Sequence, residues 1–238
     1  MLSIVIPTLN EEKYLPQLLK SIEKQNFKDY EIIVADAHSK DKTVKIAKSF
    51  GCKIVKGGLP SKGRNEGAKI ASGDLILFLD ADVILPKNTL LKIIKEFEER
   101  DLDVASFLFS CQEKFHDLSF KIFYNLASQI SEKILPQAMS VILVKRKLHK
   151  KIGGFDEKIK IGEDLDYVQR GAKIGKFGVI KSAKIFISPR RFKQDGWFKT
   201  WLKYFLVQLH MLFFGPVKSD IFKYRFGHYK DGQKREIN

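Results

Sequence analysis

Short apolar runs alternate with helically spaced apolar positions along the first hundred residues. Leu2 to Ile6, Glu31 to Ala35 and Leu75 to Leu79 are rich in aliphatic and β-branched residues, and the stretches between them set apolar positions among many Lys and Glu. The order is β-α-β-α-β. Leu75-Ile76-Leu77-Phe78-Leu79 contains no polar position, which fits a central parallel strand covered on both faces. A five-residue run is also compatible with buried helix, and Asp80 directly after it favours the strand. Helices are expected at 11 to 25, at 42 to 50 behind the capping candidates Ser39 and Asp41, at 64 to 71, and at 87 to 100 after Pro86.

The pattern changes after about residue 105. A strand is expected at 104 to 109, and a helix from Leu118, Ile122, Phe123, Leu126, Ile130 and Ile134, lying on the sheet or lining a site. A strand from Met139 to Val144 then runs into Lys145-Arg146-Lys147 and the turn Gly153-Gly154-Phe155-Asp156. Another helix is expected near Gly162-Glu163-Asp164, and a strand from Gly178 to Ile187. Trp197, Trp201, Phe205, Leu209 and Phe213 recur at helical spacing in an appended, amphipathic last segment. The fold class expected is α/β: a Rossmann-like, mostly parallel central sheet flanked by helices, with halves 1–105 and 106–190 of one domain and a helical extension over 191–238.

Composition agrees with a folded chain. Of 238 residues 44% are hydrophobic and 30% charged, with 16 Gly and 7 Pro, which argues against disordered and collagen-like classes. Cys52 and Cys111 lie far apart without C-x-x-C spacing, so they are expected in the core of a protein from a reducing, cytoplasmic setting. The N-terminal apolar run is too short for a signal peptide and lacks a basic flank. No run of about 18 apolar residues suggests a spanning helix.

The net charge of +15 is unevenly placed. Residues 1 to 105 hold 17 basic and 16 acidic groups, residues 106 to 188 hold 15 and 8, and residues 189 to 238 hold 11 and 4. The excess in the later segments suits an anionic partner such as a phosphate-bearing acceptor, an acidic membrane face or nucleic acid, or simply a solvated basic surface.

In open α/β sheets ligands bind beyond the carboxyl ends of the strands, so the polar residues there are candidates. Pro7-Thr8-Leu9-Asn10-Glu11-Glu12 follows the first run, Asp36 the second and Asp80-Ala81-Asp82 the third, and Glu163-Asp164 opens a later helix. Asp80 and Asp82 are two apart, so both can face one side. Two hard oxygen ligands suit Mg2+ or Mn2+ shared with a diphosphate, and the same residues also read as an acidic turn ahead of the helix after Pro86. Asp164 reads either as a carboxylate that accepts a proton or as a first-turn acid favoured by the helix dipole. Arg64 and Asn65, behind a Gly-rich stretch that is not a P-loop, could reach a phosphate or sit at an exposed helix start. His38 has no His or Cys partner at metal spacing and reads as a loop histidine.

Taken in order, Ser3-Ile4-Val5-Ile6-Pro7-Thr8-Leu9-Asn10-Glu11-Glu12, Asp36-x-x-Ser39-x-Asp41-x-Thr43, Gly63-Arg64-Asn65-x-Gly67, Gly73-Asp74 through Asp80-Ala81-Asp82, Gly153-Gly154-Phe155-Asp156 and Glu163-Asp164 make the chain resemble the family-2 inverting glycosyltransferases with the GT-A fold. The resemblance covers roughly residues 2 to 190. It implies a nucleotide-sugar-binding half over 1–105, an acceptor-binding half over 106–190, and a UDP- or GDP-linked donor. Pro7, Thr8 and Glu11 would border base and ribose, with Asp36 on the base, Arg64 fixing the nucleotide and Asp80 near the ribose. Asp82, helped by Asp80, would hold Mn2+ or Mg2+ on the diphosphate, and Asp164 would be the general base. Ala37-His38 departs from the Gly or Asp often found there, which bears on base selectivity.

Ser188-Pro189-Arg190-Arg191-Phe192 also resembles a segment of some such enzymes, whose twin arginines, here Arg190 and Arg191, would bind phosphate. The basic later segments and the aromatic tail suggest a polyprenyl-phosphate or lipid-linked glycan as acceptor, with a soluble acceptor as the alternative. They also suggest peripheral association with the cytoplasmic membrane face; the last helix could equally pack on its own domain or on a second copy. Two other classes compete. A sugar-phosphate nucleotidyltransferase would need a Gly-rich basic loop where Thr8 to Glu12 is acidic, and a nucleic-acid-binding module would need a recognition signature that the chain lacks.

Overall fold

β1 (Leu2–Thr8), β2 (Tyr30–Asp36) and β4 (Leu75–Leu79) form where the apolar runs lie, and β1 is the strand between the other two, parallel to both. The computed structural model describes residues 1–223. The remaining strands are β3 (Lys53–Lys56), β5 (Val83–Ile84), β6 (Val104–Ser110), β7 (Val141–Lys145) and β8 (Phe177–Ile187). The sheet order is β3-β2-β1-β4-β7-β6-β8-β5. Pairing is parallel except that β7 runs against β4 and β6, and β5 against β8. One sheet therefore continues across residues 105 and 106.

Successive residues of the central strands serve opposite faces. Ile4 and Ile6 of β1 and Leu77 and Leu79 of β4 enter one core with α1 (Leu15–Glu23), α2 (Thr43–Ser49) and α4 (Thr89–Glu99). Val5, Ile76 and Phe78 enter a second core with α3 (Pro60–Ile70), α7 (Arg146–Ile152) and α8 (Glu163–Ala172). This two-sided burial is why the runs show no polar alternation. Helix α3 lies unusually close to β1: a Cβ on Gly67 would stand 2.3 Å from Val5 Cγ1, and one on Gly63 3.0 Å from Pro7 Cβ. These two glycines let Arg64 reach the carboxyl ends of the strands.

Several boundaries differ from those the sequence suggests. The helix expected at 11 to 25 starts at Leu15 because residues 9 to 14 form a loop, and that expected at 64 to 71 starts at Pro60, whose missing N–H suits a first helical turn. The helix expected from Leu118 is α5 (Lys114–Phe120), a π-helical segment (Lys121–Leu126) and α6 (Ala127–Ser131) in succession. Asn125 explains the irregularity: its side chain accepts from Phe109 N at 2.9 Å and donates to Phe109 O at 2.7 Å. Strands β3 and β5 and helix α7 are additions. The C-terminal extension contains α9 (Arg190–Asp195) and α10 (Trp197–Phe214); the part of it from 224 to 238 lies outside the described residues. Cys52 and Cys111 are buried and free. Among the described residues no helix is long and apolar enough to cross a membrane.

Candidate active site

The carboxyl ends of β1 and β4 open into a cleft of about 360 Å³. Pro7, Thr8 and Glu11 come from β1 and the loop after it, Asp80 and Asp82 follow β4, Asp164 opens α8, and Arg190 and Arg191 open α9; all line the cleft. Asp36 stands behind this wall. Its carboxylate accepts from Thr8 Oγ1 at 3.1 Å, Ser39 N at 2.9 Å and Ser39 Oγ at 2.6 Å. The acidic loop beyond β1 is tied to α2 in the same manner, with Glu11 N donating to Thr43 Oγ1 at 2.7 Å and Glu12 N to Asp41 Oδ2 at 3.1 Å. Asn10 and His38, in the loops after β1 and β2, both hold positive φ (55° and 62°). Gly, Asn and Asp adopt that conformation at least cost, which gives a backbone reason for the residue types usual at the place His38 fills.

Arg64 is 2% exposed. Its Nη2 lies 2.8 Å from Asp80 Oδ1 and its Nη1 2.9 Å from Glu163 Oε1, so one guanidinium joins the end of β4 to the start of α8. The guanidinium also lies over the Phe155 ring, 5.3 Å from its centroid. Asn65, beside it, does not face the cleft chemistry. It accepts from Phe155 N at 2.8 Å and donates to Phe155 O at 3.0 Å, holding the Gly153-Gly154-Phe155 turn. Gly154, at φ 77°, leaves the room for this: a Cβ there would be 2.7 Å from Asn65 Oδ1.

Asp82 is buried beside other acids. Burial, with Asp80 and Glu11 nearby, pushes its carboxyl up to about 6, against the opposing pull of Arg190. The sheet explains why Arg190 is there. Strand β5 pairs with the end of β8, and Ser188 N donates to Asp82 O at 3.2 Å, so the residue two positions on reaches both carboxylates. Arg190 Nε lies 2.7 Å from Asp82 Oδ2, Nη1 and Nη2 each donate to Glu11 at 2.9 Å, and the group stacks 4.7 Å from the Tyr14 ring centroid. Arg191 forms a looser pair with Asp195 at 3.9 Å.

Asp164 lines the cleft from the start of α8. Ser140 N donates to its Oδ2 at 3.1 Å and Leu165 N to its Oδ1 at 2.9 Å. Ser140 holds φ 60° to make that bond, a backbone strain of the kind that collects at working sites. Desolvation and the neighbouring Glu163 raise the Asp164 carboxyl to about 7, although Arg64 pulls it down. Such a group is ready to take a proton near neutrality. Sequence reasoning did not assign a role to Glu163, whose carboxylate is the second anchor of Arg64; only its place beside Asp164 hinted at the site.

Among the described residues no three His, Cys, Asp or Glu side chains form a ready cage for a metal ion. Asp80 and Asp82 nevertheless suit a hard divalent cation whose remaining ligands would come from a bound diphosphate: two carboxylates line one cleft, each with one oxygen paired to an arginine, Asp80 to Arg64 and Asp82 to Arg190.

The family model for Glycosyl transferase family 2 matches residues 3–153. Poly(ribitol-phosphate) beta-N-acetylglucosaminyltransferase TarS of Staphylococcus aureus is 35% identical over 112 residues, 43% of this chain and 20% of that protein. Minor teichoic acid biosynthesis protein GgaB of Bacillus subtilis is 29% identical over 214 residues, 82% of this chain and 23% of that protein. The matches thus cover about a fifth to a quarter of those two relatives. Among solved structures, mannosyltransferase PcManGT from Pyrobaculum calidifontis in complex with GDP-Man and Mn2+ superimposes with a TM-score of 0.69 at 19% identity, covering 87% of this chain and 62% of that one. The likeness shows the GT-A fold.

Proposed function

The chain belongs to glycosyl transferase family 2, and on that premise we propose that it moves one sugar from a UDP- or GDP-linked donor to an acceptor with inversion at the anomeric carbon. The observation that carries this reading is the meeting of Asp80, Asp82 and Asp164 in one cleft, the first two from the end of β4 and Asp164 from the start of α8.

Pro7, Thr8 and Glu11 border the base and ribose, and Asp36 acts on the base by fixing Thr8. Arg64 serves the nucleotide indirectly, by orienting Asp80 toward the ribose. Asp82 and Asp80 would hold Mn2+ or Mg2+, which when bound supplies positive charge to the departing nucleoside diphosphate. Arg190 and Arg191 offer two further cations to the phosphates. For a hydroxyl acceptor, Asp164 takes the proton as the oxygen bonds to the anomeric carbon and the bond from that carbon to the diphosphate oxygen breaks. Ser140 N–H and Leu165 N–H hold its carboxylate in place meanwhile. Basic later segments support a phosphate-bearing acceptor, a polyprenyl phosphate or lipid-linked glycan, met at a membrane surface.

The test is a thermal-shift and hydrolysis panel of UDP- and GDP-sugars with and without Mn2+ or Mg2+. A metal-dependent rise in melting temperature for one nucleotide, absent in Asp82→Ala, is expected by linkage. No shift with any nucleotide sugar would remove the reading.

A further inference from the structure

The segment from α5 to α6 and helix α10 share an unusual property: each is anchored by one aromatic face and leaves an apolar face in water. Tyr124, Asn125 and Ser128 are buried, whereas Leu118, Ile122, Leu126 and Ile130 on the other side are half or more exposed, Ile130 by 73%. In α10, Thr200 and Val207 are buried while Phe198 and Phe213 are exposed by 70% and 72%. Phe123 joins the two, its ring 5.7 Å from that of Trp197 and 5.5 Å from that of Trp201. The two segments are therefore neighbours, and their exposed apolar side chains together exceed the scattered exposure normal for a soluble surface.

Charge selects the occupant. Helix α10 contains Lys199 and Lys203 and no acidic residue. Lys121, Lys181 and Lys184 border a shallow groove with Ile122 and Leu126; Lys121 pairs with Asp117 and Lys181 with Glu132, so Lys184 and Lys199 carry most of the attraction. Apolar side chains with lysines around them, on a helix not apolar enough to cross a membrane, are the composition of an element lying in the plane of an anionic bilayer. The cleft opens at the same place, since Phe123 of the first segment and Phe205 of α10 line it.

We infer that the exposed faces of the α5–α6 segment and α10 form one docking surface for an anionic lipid bilayer, which sets the mouth of the cleft at headgroup level. The inference deepens the proposed reaction and rests on it in one respect: docking brings the cleft to an acceptor whose lipid stays in the membrane. Docking itself needs neither donor nor acceptor, so it is measured separately.

The experiment is flotation of the full chain with vesicles of phosphatidylcholine containing phosphatidylglycerol, and with pure phosphatidylcholine, at low and high salt. The chain floats with the anionic vesicles, less so at high salt, and Ile130→Ser or Phe198→Ser each weakens binding roughly tenfold, as removal of one inserted apolar side chain should. Both positions are largely exposed, so the variants keep the parent's melting temperature and donor hydrolysis. Equal flotation of parent and variants would overturn the surface. Failure of the parent to float would overturn the inference, and a dimer dissociated by Phe198→Ser would then identify a second copy as the occupant. Flotation without turnover of any nucleotide sugar would leave docking standing and remove the transferase reading instead.

Discussion

Arg190 Nε stands 2.7 Å from Asp82 Oδ2 while the same guanidinium holds both oxygens of Glu11. One cation from the start of α9 thus neutralises two acids that the sheet brings together, and without it Asp82, Glu11 and Asp80 would face one another unshielded. Arg190→Ala is expected to cost about 1 to 3 kcal/mol, between the values for exposed and for buried pairs, because the side chain is partly exposed. On the proposed metal role, Mn2+ held by Asp82 and Asp80 would supply the charge that was removed. Its addition should therefore raise the melting temperature of Arg190→Ala more than that of the parent; an equal rise in both would show that Arg190 and the cation act at different places.

Gly67 tests the packing that brings α3 to the site. A methyl group there meets Val5 Cγ1 at 2.3 Å, so Gly67→Ala should lower stability by about 1 to 3 kcal/mol through overpacking, despite the better helix propensity of Ala. Val5→Ala in the same chain makes room. The denaturation midpoint of the double variant should lie above the sum of the two single losses, and strict additivity would mean that α3 and β1 do not press on each other here.

How far the sequence reveals this arrangement depends on whether a residue's partner is near in the chain. Strands β1, β2 and β4 were legible because burial on both faces leaves unbroken apolar runs. Strand β3 was not: Lys53-Ile54-Val55-Lys56 is short and pairs only with β2 at the sheet edge. Helix α7 reads as a basic turn, yet Leu148 and His149 bury against Phe78 and α8. The acids of the site were visible as residues directly after strands. Arg64 and Arg190 were singled out too, but not their pairings, because Arg64 with Glu163 and Arg190 with Glu11 meet only through the topology. Asn65 illustrates the converse. Its place in Gly-Arg-Asn-x-Gly suggested a phosphate, and its side-chain bonds show that it holds the turn at Phe155.

Arg64 bridges Asp80 at the end of β4 and the helix that carries Asp164, and both of its terminal nitrogens are used. Lysine keeps the charge but presents a single ammonium, which cannot reproduce the fork. Arg64→Lys should leave one of Asp80 and Glu163 without its bond and cost about 2 to 4 kcal/mol. A drop in turnover with the acidic limb of the pH profile left in place is the expected kinetic signature, since lysine keeps the positive charge that pulls the Asp164 carboxyl down. A stable Arg64→Lys variant with the parent's turnover would mean that the bridge does not position Asp164.

Asp164 gives the last prediction, and its sign can be worked out in full. The ordinary aspartate value is about 3.9, and in the folded chain burial and Glu163 lift it to about 7. Between those values the folded state binds more protons than the unfolded state. This group therefore makes stability fall as pH rises through that window. Asp164→Asn removes the titration, and its melting temperature should gain on the parent's as pH goes from 5 to 8, even though an amide cannot accept from both Ser140 N and Leu165 N as the carboxylate does. Catalysis runs the other way. A base must be ionised, so transfer to a hydroxyl acceptor should fall about tenfold per pH unit below about 7 in the parent, and Asp164→Asn should abolish it at every pH. A parent profile flat down to pH 5, together with a melting difference that does not change with pH, would place the proton acceptor elsewhere in the cleft.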